Sequence, residues 1–334
     1  MNLLTQIKQL TLVIFLSSLG TACTPNIHPS GSIISSGQVL TDFFITNDGA
    51  KLPLKTWQPS EQDIKFVIIA LHGFNDYSNF FQKPGKYFSQ HKAISYAYDQ
   101  RGFGKTANRG LWAGLDTYTA DLKCFIQLIK NKHPQLPVFL LGESMGGAIV
   151  ISTMAKSEQL PVAGIILAAP AVWARQTMPW YQNTLLWTLS HTVPWLTLTG
   201  NDLGIKPSDN IKMLIALGAD PLVIKETRVE SIYGLVNLMD MALVSAERIT
   251  SPTLLLYGEK DEIIPQQPTY QFLNDLTNTA NNNHTIAFYK NGYHMLLRDL
   301  QAPILWADIK SWIFSFATPL PSGADKRAKE LVFD

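Results

Sequence analysis

The sequence predicts an α/β fold, a mostly parallel central sheet flanked by helices, with an inserted, mainly helical cap. Three observations carry this. Continuously apolar runs at 66–71, 93–98, 137–141, 162–167 and 252–257 alternate with stretches whose apolar residues recur at helical spacing. Runs that are apolar throughout suit strands covered on both faces, the condition of a parallel sheet. The alternation then breaks at 171–245, where no buried strand is legible and four of the eight tryptophans (Trp173, Trp180, Trp187 and Trp195) are gathered. A composition of 46% hydrophobic and 16% charged residues is that of a globular chain. A net charge of +1 gives no reason to expect a nucleic-acid partner, and two cysteines do not make a disulfide framework.

Taken in order, residues 1–22 read as an export signal: Lys8 near the start, an apolar core over 10–16, then small residues. Residues 23–38 are rich in Pro, Ser and Gly and read as a flexible tether. The runs 41–46 and 52–57 flank Asn47-Asp48-Gly49, a hairpin signal. A helix is expected over 79–90, interrupted near Pro84-Gly85, and another over 117–132, with Leu122, Phe125, Ile126 and Ile129 inward and Cys124 as a small buried residue. After the break at 171–245 the sheet resumes at 252–257, followed by a helix over 267–277, a strand over 285–289 and a last helix over 302–316. Core residues are therefore 39–170 and 246–317, the cap is 171–245, and 318–334 reads as a mobile tail.

The densest chemical signal is Gly142-Glu143-Ser144-Met145-Gly146, between a buried strand and a helical pattern. A strand-to-helix turn of this kind places its serine in a strained backbone conformation, and glycines two residues either side remove colliding side chains. The hydroxyl then stands at a helix start, where free N–H groups favour a developing negative charge. A serine hydroxyl still needs a base, and the base needs a partner to fix its tautomer. Two later strand ends offer them: Gly258-Glu259-Lys260-Asp261-Glu262-Ile263-Ile264-Pro265 and Asn291-Gly292-Tyr293-His294. Three carboxylates, Asp261, Glu259 and Glu262, compete for the acid. His294 competes with His284, which has no glycine turn before it.

These motifs, with Leu71-His72-Gly73, resemble the α/β-hydrolase superfamily and most of all its monoacylglycerol lipase and lysophospholipase branch, which includes serine aminopeptidases of the S33 type. The resemblance covers about 40–317 and implies an α/β-hydrolase fold. It implies Ser144 as nucleophile, Asp261 as acid and His294 as base, with oxyanion-hole amides from Phe74 and Met145. His72 is then a structural residue, and Phe74 is larger than the residue its relatives often carry. No metal and no organic cofactor is implied. Arg101-Gly102-Phe103-Gly104 resembles a phosphate loop only loosely and reads as a turn.

The implied activity is carboxylic ester hydrolysis through an acyl-enzyme. The Trp, Met and Leu content of the cap suits a lysophospholipid or monoacylglycerol. A short-chain carboxylesterase and a serine aminopeptidase are the alternatives, the latter requiring acidic cap residues such as Asp202, Asp209, Asp220, Glu226, Glu230 or Asp240 to hold an amine. A binding lipoprotein without catalysis would lack a triad member, and none is missing. Finally, Leu19-Gly20-Thr21-Ala22-Cys23 resembles a bacterial lipoprotein signal, which implies cleavage before Cys23, acylation of its thiol and an exported protein anchored in a membrane. Thr24 is similar to the outer-membrane sorting type.

Overall fold

Strands β4 (Phe66–Leu71), β5 (Ala93–Tyr98), β6 (Val138–Glu143), β7 (Gly164–Ala168) and β10 (Thr253–Gly258) are buried at every residue in the computed structural model. Residues 24–60, 63–156, 160–200, 204–278 and 283–332 are described. With β1 (Gln38–Val39), β2 (Phe43–Ile45), β3 (Lys51–Trp57) and β11 (His284–Tyr289), these strands form one sheet in the order β1-β2-β3-β5-β4-β6-β7-β10-β11. Pairing is parallel from β5 through β11 and antiparallel among β1, β2, β3 and β5. The hairpin between β2 and β3 turns at Asn47-Asp48-Gly49, where Gly49 has φ +80°.

Alternate strand residues point to opposite faces, which explains why whole runs are apolar. Val67, Ile69 and Leu71 pack with Leu122, Phe125, Ile149 and Phe272, from helices α2 (Leu115–Lys132), α3 (Met145–Ala155) and α7 (Gln266–Thr277). Phe66, Ile68 and Ala70 pack with Phe88, Leu305 and Trp312, from α1 (Gln82–Ser89) and α8 (Ala302–Phe314). Helix α1 is not interrupted at Pro84. The proline falls in its first turn, where a missing N–H removes no helix bond, and a one-turn 3₁₀ segment at Ser78–Phe81 leads into it. Gly85 is needed for packing, because a Cβ there would lie 2.4 Å from the Trp57 ring.

Residues 171–245 carry α4 (Trp180–Thr192), α5 (Ile211–Ala219), α6 (Val229–Val244) and a two-stranded ribbon of β8 (Thr197–Leu198) and β9 (Thr227–Arg228). Helix α6 packs on α3 and shares the main core through Val236, Leu238, Met239, Ala242 and Leu243.

Two expectations about the ends are corrected. Residues 318–334, expected as a mobile tail, include α9 (Ala324–Val332), which packs against the edge strand β11 and buries Ala324 and Ala328. Covering a sheet edge satisfies or hides backbone groups that would otherwise recruit other chains. The expected flexible tether over 23–38 is, from Thr24 onward, an extended strap fixed by its backbone. Asn26 N–H donates to the Glu230 carboxylate (3.2 Å), His28 N–H to the Trp112 carbonyl (2.8 Å) and Gly31 N–H to Asp48 (2.8 Å). The export signal over 1–22 and Cys23 lie outside the described residues.

Candidate active site

Ser144 sits between the end of β6 and the start of α3 with φ +53° and ψ −116°, a backbone conformation that L residues rarely adopt. Its glycine neighbours make that turn possible. A Cβ on Gly142 would lie 2.5 Å from the Gly146 carbonyl carbon, and one on Gly146 would lie 2.3 Å from the Leu71 carbonyl oxygen. The turn is further tied by Ser144 N–H donating to the Ala168 carbonyl at 3.0 Å. The loop after β4 comes up against it, since a Cβ on Gly73 would lie 3.3 Å from Ser144 Cβ. Phe74 follows in that loop. Met145 is the first residue of α3, so its N–H has no acceptor within the helix. Both predicted oxyanion amides therefore belong to segments that flank Ser144.

The other two predicted groups meet each other. His294 Nδ1 lies 2.8 Å from Asp261 Oδ2, and both side chains are buried. Asp261 Oδ1 accepts N–H groups from Ile263 (2.8 Å) and Ile264 (2.9 Å), so the carboxylate is held on both sides. Burial opposes a charged imidazole at His294, but the Asp261 carboxylate outweighs it and the net shift is upward. Ser144 and His294 line one cavity.

The competitors lie elsewhere. Glu259 pairs with Arg327, and Glu262 accepts the Lys206 N–H at 2.7 Å. His284 occupies the first position of β11, the strand end away from the carboxyl-terminal loops that bring the triad candidates together. His72 is fully buried; its Nδ1–H donates to the Gly73 carbonyl (2.8 Å) and its Nε2 accepts the Gln100 N–H (3.0 Å), which ties the loop bearing Phe74 to the end of β5. Arg101 pairs with Asp48 and Asp121, each at 2.6 Å, so its turn holds the hairpin rather than a phosphate. Cys124 is half-buried and its thiol donates to Asn47 Oδ1 at 3.0 Å.

Sequence reasoning missed a buried ionic cluster. Arg298 places Nη1 2.7 Å from Asp76 Oδ2 and Nη2 2.9 Å from Glu143 Oε2, and all three residues line the same cavity as Ser144. Burial pushes the Glu143 carboxyl upward, with Arg298 opposing. The segment leading into α5 also grips the histidine loop: Ser208 Oγ donates to Asp299 (2.5 Å), Asn210 Nδ2 to the Arg298 carbonyl (2.9 Å), and Asp209 accepts the Leu300 N–H (2.8 Å). No local motif marks these residues; only Glu143, beside Ser144, and Arg298 and Asp299, a few positions after His294, carry a sequence signal, a charge near a candidate site residue.

The cavity measures about 470 Å³ and is walled mainly by apolar groups, among them Phe74, Trp173, Met178, Leu186, Leu235 and Met239. None of Asp209, Asp220, Glu226, Glu230 and Asp240 lines it. Asp220 accepts the Tyr77 hydroxyl, Glu230 the Asn26 N–H and Asp240 the Arg175 N–H. Asp202 lies outside the described residues.

Comparison with known proteins agrees with this frame. The chain is 24% identical over 269 residues to the monoacylglycerol lipase of Mycolicibacterium smegmatis, covering 80% of this chain and 94% of that one. It is 25% identical over 275 residues to human monoglyceride lipase, covering 80% and 88%. Among solved structures, a soluble variant of the Saccharomyces cerevisiae monoglyceride lipase with a substrate analog superposes with a TM-score of 0.69 at 20% identity, over 89% of this chain and all of that one. The Paleococcus ferrophilus monoacylglycerol lipase superposes with a TM-score of 0.64 at 24% identity, over 80% and 99%. Both structural matches give the fold as α/β-hydrolase. The family model described as "Serine aminopeptidase, S33" (Hydrolase_4) matches residues 62–301, and the chain belongs to that family of hydrolases.

Proposed function

We propose that the protein hydrolyses carboxylic esters of long acyl chains, of the monoacylglycerol or lysophospholipid kind, through a Ser144–His294–Asp261 acyl-enzyme mechanism. The observation that carries the reading is the shared cavity: Ser144 and His294 both line it, with apolar side chains from cap and core around most of the rest. An acyl chain in that space leaves water for apolar contacts, and the polar wall of Asp76, Glu143, Arg298 and Gln182 is left for the alcohol part.

We infer the following steps. Ser144 Oγ attacks the ester carbonyl as His294 takes its proton. The tetrahedral oxyanion is held by the N–H groups of Phe74 and Met145; loss of one such donor typically costs about 2.7–4 kcal/mol in the barrier. The alcohol leaves with the proton from His294. Water then attacks the acyl-enzyme with the same imidazole as base. Asp261 orients the ring and stabilises its charged form.

An aminopeptidase reading needs an unpaired acidic group where a substrate amine would sit. Among the described residues the cap carboxylates weighed for that role do not line the cavity, and the two acids that do line it are paired with Arg298. The test is a side-by-side rate comparison on 1-monooleoylglycerol, a lysophosphatidylcholine, p-nitrophenyl acetate and an aminoacyl p-nitroanilide. The reading predicts kcat/KM highest on one of the two lipids. Highest kcat/KM on the acetate or the anilide would replace it by an esterase or an aminopeptidase.

We propose further that Cys23 is acylated after export and anchors the protein in a bacterial membrane. The support is the signal pattern over 1–23. Labelling with a radioactive fatty acid tests it: the wild type should incorporate label and Cys23→Ser should not. Equal labelling of the two would reject it.

A further inference from the structure

The loop after β4 is fixed to the core at both ends. His72 holds one end through the Gln100 N–H, and at the other Ser78 N–H donates to Asp99 Oδ1 at 3.0 Å. Between them the chain reverses: Asp76 N–H donates to the Gly73 carbonyl at 3.3 Å, with Phe74 and Asn75 as the central pair. Of these two only Asn75 has a positive φ, +64°. That is the pattern of a type II turn, which takes glycine or asparagine at its third residue. The turn closes through the Asp76 N–H and leaves the Phe74 N–H outside its own bond, on the segment that flanks Ser144.

The middle of this loop hangs on the cap. Asn75 Nδ2 donates to Thr227 Oγ1 at 2.6 Å, the Asn75 carbonyl accepts the Ile224 N–H at 2.9 Å, and the Tyr77 hydroxyl donates to Asp220 Oδ2 at 2.7 Å. All three cap residues belong to one segment, 220–227, which joins α5 to β9. That segment is itself braced. Leu222 N–H donates to Asp220 Oδ1 at 2.9 Å, Lys225 Nζ to the Asp220 carbonyl at 2.8 Å, and Thr227 pairs with Leu198 across the ribbon. The Phe74 ring adds an apolar tie, meeting Trp112 at 6.2 Å between centroids, and Trp112 is closed against α6, where a Cβ on Gly234 would lie 2.4 Å from its ring. Glycine would serve the turn at no steric cost, so what asparagine adds is the bond to Thr227.

We propose that Asn75 is a positioning residue for the oxyanion hole, acting through its bond to Thr227, so that the Phe74 N–H is aimed at the reacting oxygen only while segment 220–227 of the cap is seated on the loop. The inference rests on the serine ester hydrolase reading above and adds to it a link between cap and chemistry. Asn75 touches no reacting atom in this account. It fixes the turn whose preceding residue supplies the donor, and a donor displaced by about 1 Å can cost up to about 10²-fold in rate. Such a loss falls on the transition state, because the ground-state ester binds through the apolar cavity wall and gains little from the same N–H.

The experiment compares the full chain with Asn75→Gly, Thr227→Val and the double variant, using p-nitrophenyl butyrate and an aliphatic trifluoromethyl ketone. The ketone carbon bonds to Ser144 Oγ, the serine proton passes to His294, and the ketone oxygen becomes an anion where the ester oxyanion would sit. Asn75→Gly keeps the turn and removes the donor; Thr227→Val keeps the shape and removes the acceptor. Each single variant should lower kcat about tenfold and raise the ketone Ki by the same factor, with KM changed by less than about twofold. The double variant should lose about tenfold and not about a hundredfold, because both changes break one bond. Circular dichroism should match the wild type in all three. A kcat and Ki within about twofold of wild type in both single variants would overturn the proposal. So would losses that multiply in the double variant, or a raised KM at unchanged kcat, which would make the contact part of substrate binding. A wild type that neither hydrolyses the ester nor binds the ketone would overturn the serine ester hydrolase reading and this inference with it; a wild type that does both, beside unchanged variants, overturns the inference alone.

Discussion

Asp261 and His294 are held in a single relative orientation. Asp261 Oδ2 faces His294 Nδ1 at 2.8 Å, while Oδ1 is occupied by the N–H groups of Ile263 and Ile264. This makes Asp261→Asn an informative substitution. The asparagine oxygen must stay with the two amides, so its NH₂ group faces His294 and forces Nδ1 to accept. The ring then carries its proton on Nε2 and cannot take one from Ser144. Steady-state kinetics should show kcat reduced about 10⁴-fold with little change in KM or in the unfolding midpoint.

The elbow gives a stability prediction. Gly146→Ala would place a methyl group 2.3 Å from the Leu71 carbonyl oxygen, a backbone atom that cannot move without shifting the end of β4. Urea titration should show a loss of at least about 1–3 kcal/mol. Gly110→Ala is a useful contrast: its φ of +88° is also strained for a side chain, but no atom lies within 4 Å of an added Cβ. Its loss should be smaller and confined to the backbone term.

The pH dependence has a definite sign. The folded state raises the His294 pKa, burial being outweighed by Asp261, with Glu143 adding to the rise and Arg298 opposing it. As the proposed base, His294 must be neutral to act, so kcat/KM should climb with pH through a midpoint above the ordinary imidazole value of about 6.5. The charged imidazole stabilises the fold at pH values below that ordinary value, and this contribution is lost as pH rises through the raised one. Glu143→Gln removes one carboxylate near the ring and should move the activity midpoint to lower pH.

Arg298 pairs with two carboxylates, Asp76 and Glu143, inside the site. Arg298→Met leaves both without their cation, and removing one partner of a buried pair typically costs about 3–5 kcal/mol. Chemical denaturation should show a loss of that order. Adding Glu143→Gln to Arg298→Met should recover part of it, since one uncompensated charge is then gone; no recovery would mean that the guanidinium acts mainly by filling space.

The sequence made the sheet legible because strands covered on both faces have no polar alternation to confuse the reading. It made Ser144, Asp261 and His294 legible as candidates because each follows a strand and carries a glycine within three residues. The cluster of Asp76, Glu143 and Arg298 was not legible, since single charges from three separated segments have no spacing to recognise. Helix α9 was hidden for another reason: its buried contacts are the small residues Ala324 and Ala328 in an otherwise charged stretch, which reads as solvated. The strap escaped because it is fixed through backbone N–H groups, which are the same whatever side chains the segment carries.

The nucleophile is tested most directly by intact-mass measurement after treatment with a fluorophosphonate. The wild type should gain one phosphonyl adduct, located on Ser144 by peptide mapping, with complete loss of ester hydrolysis. Ser144→Ala, folded by circular dichroism, should gain none. An adduct on another residue at the wild-type rate, or hydrolysis that persists in Ser144→Ala, would contradict the elbow serine as the centre of the site.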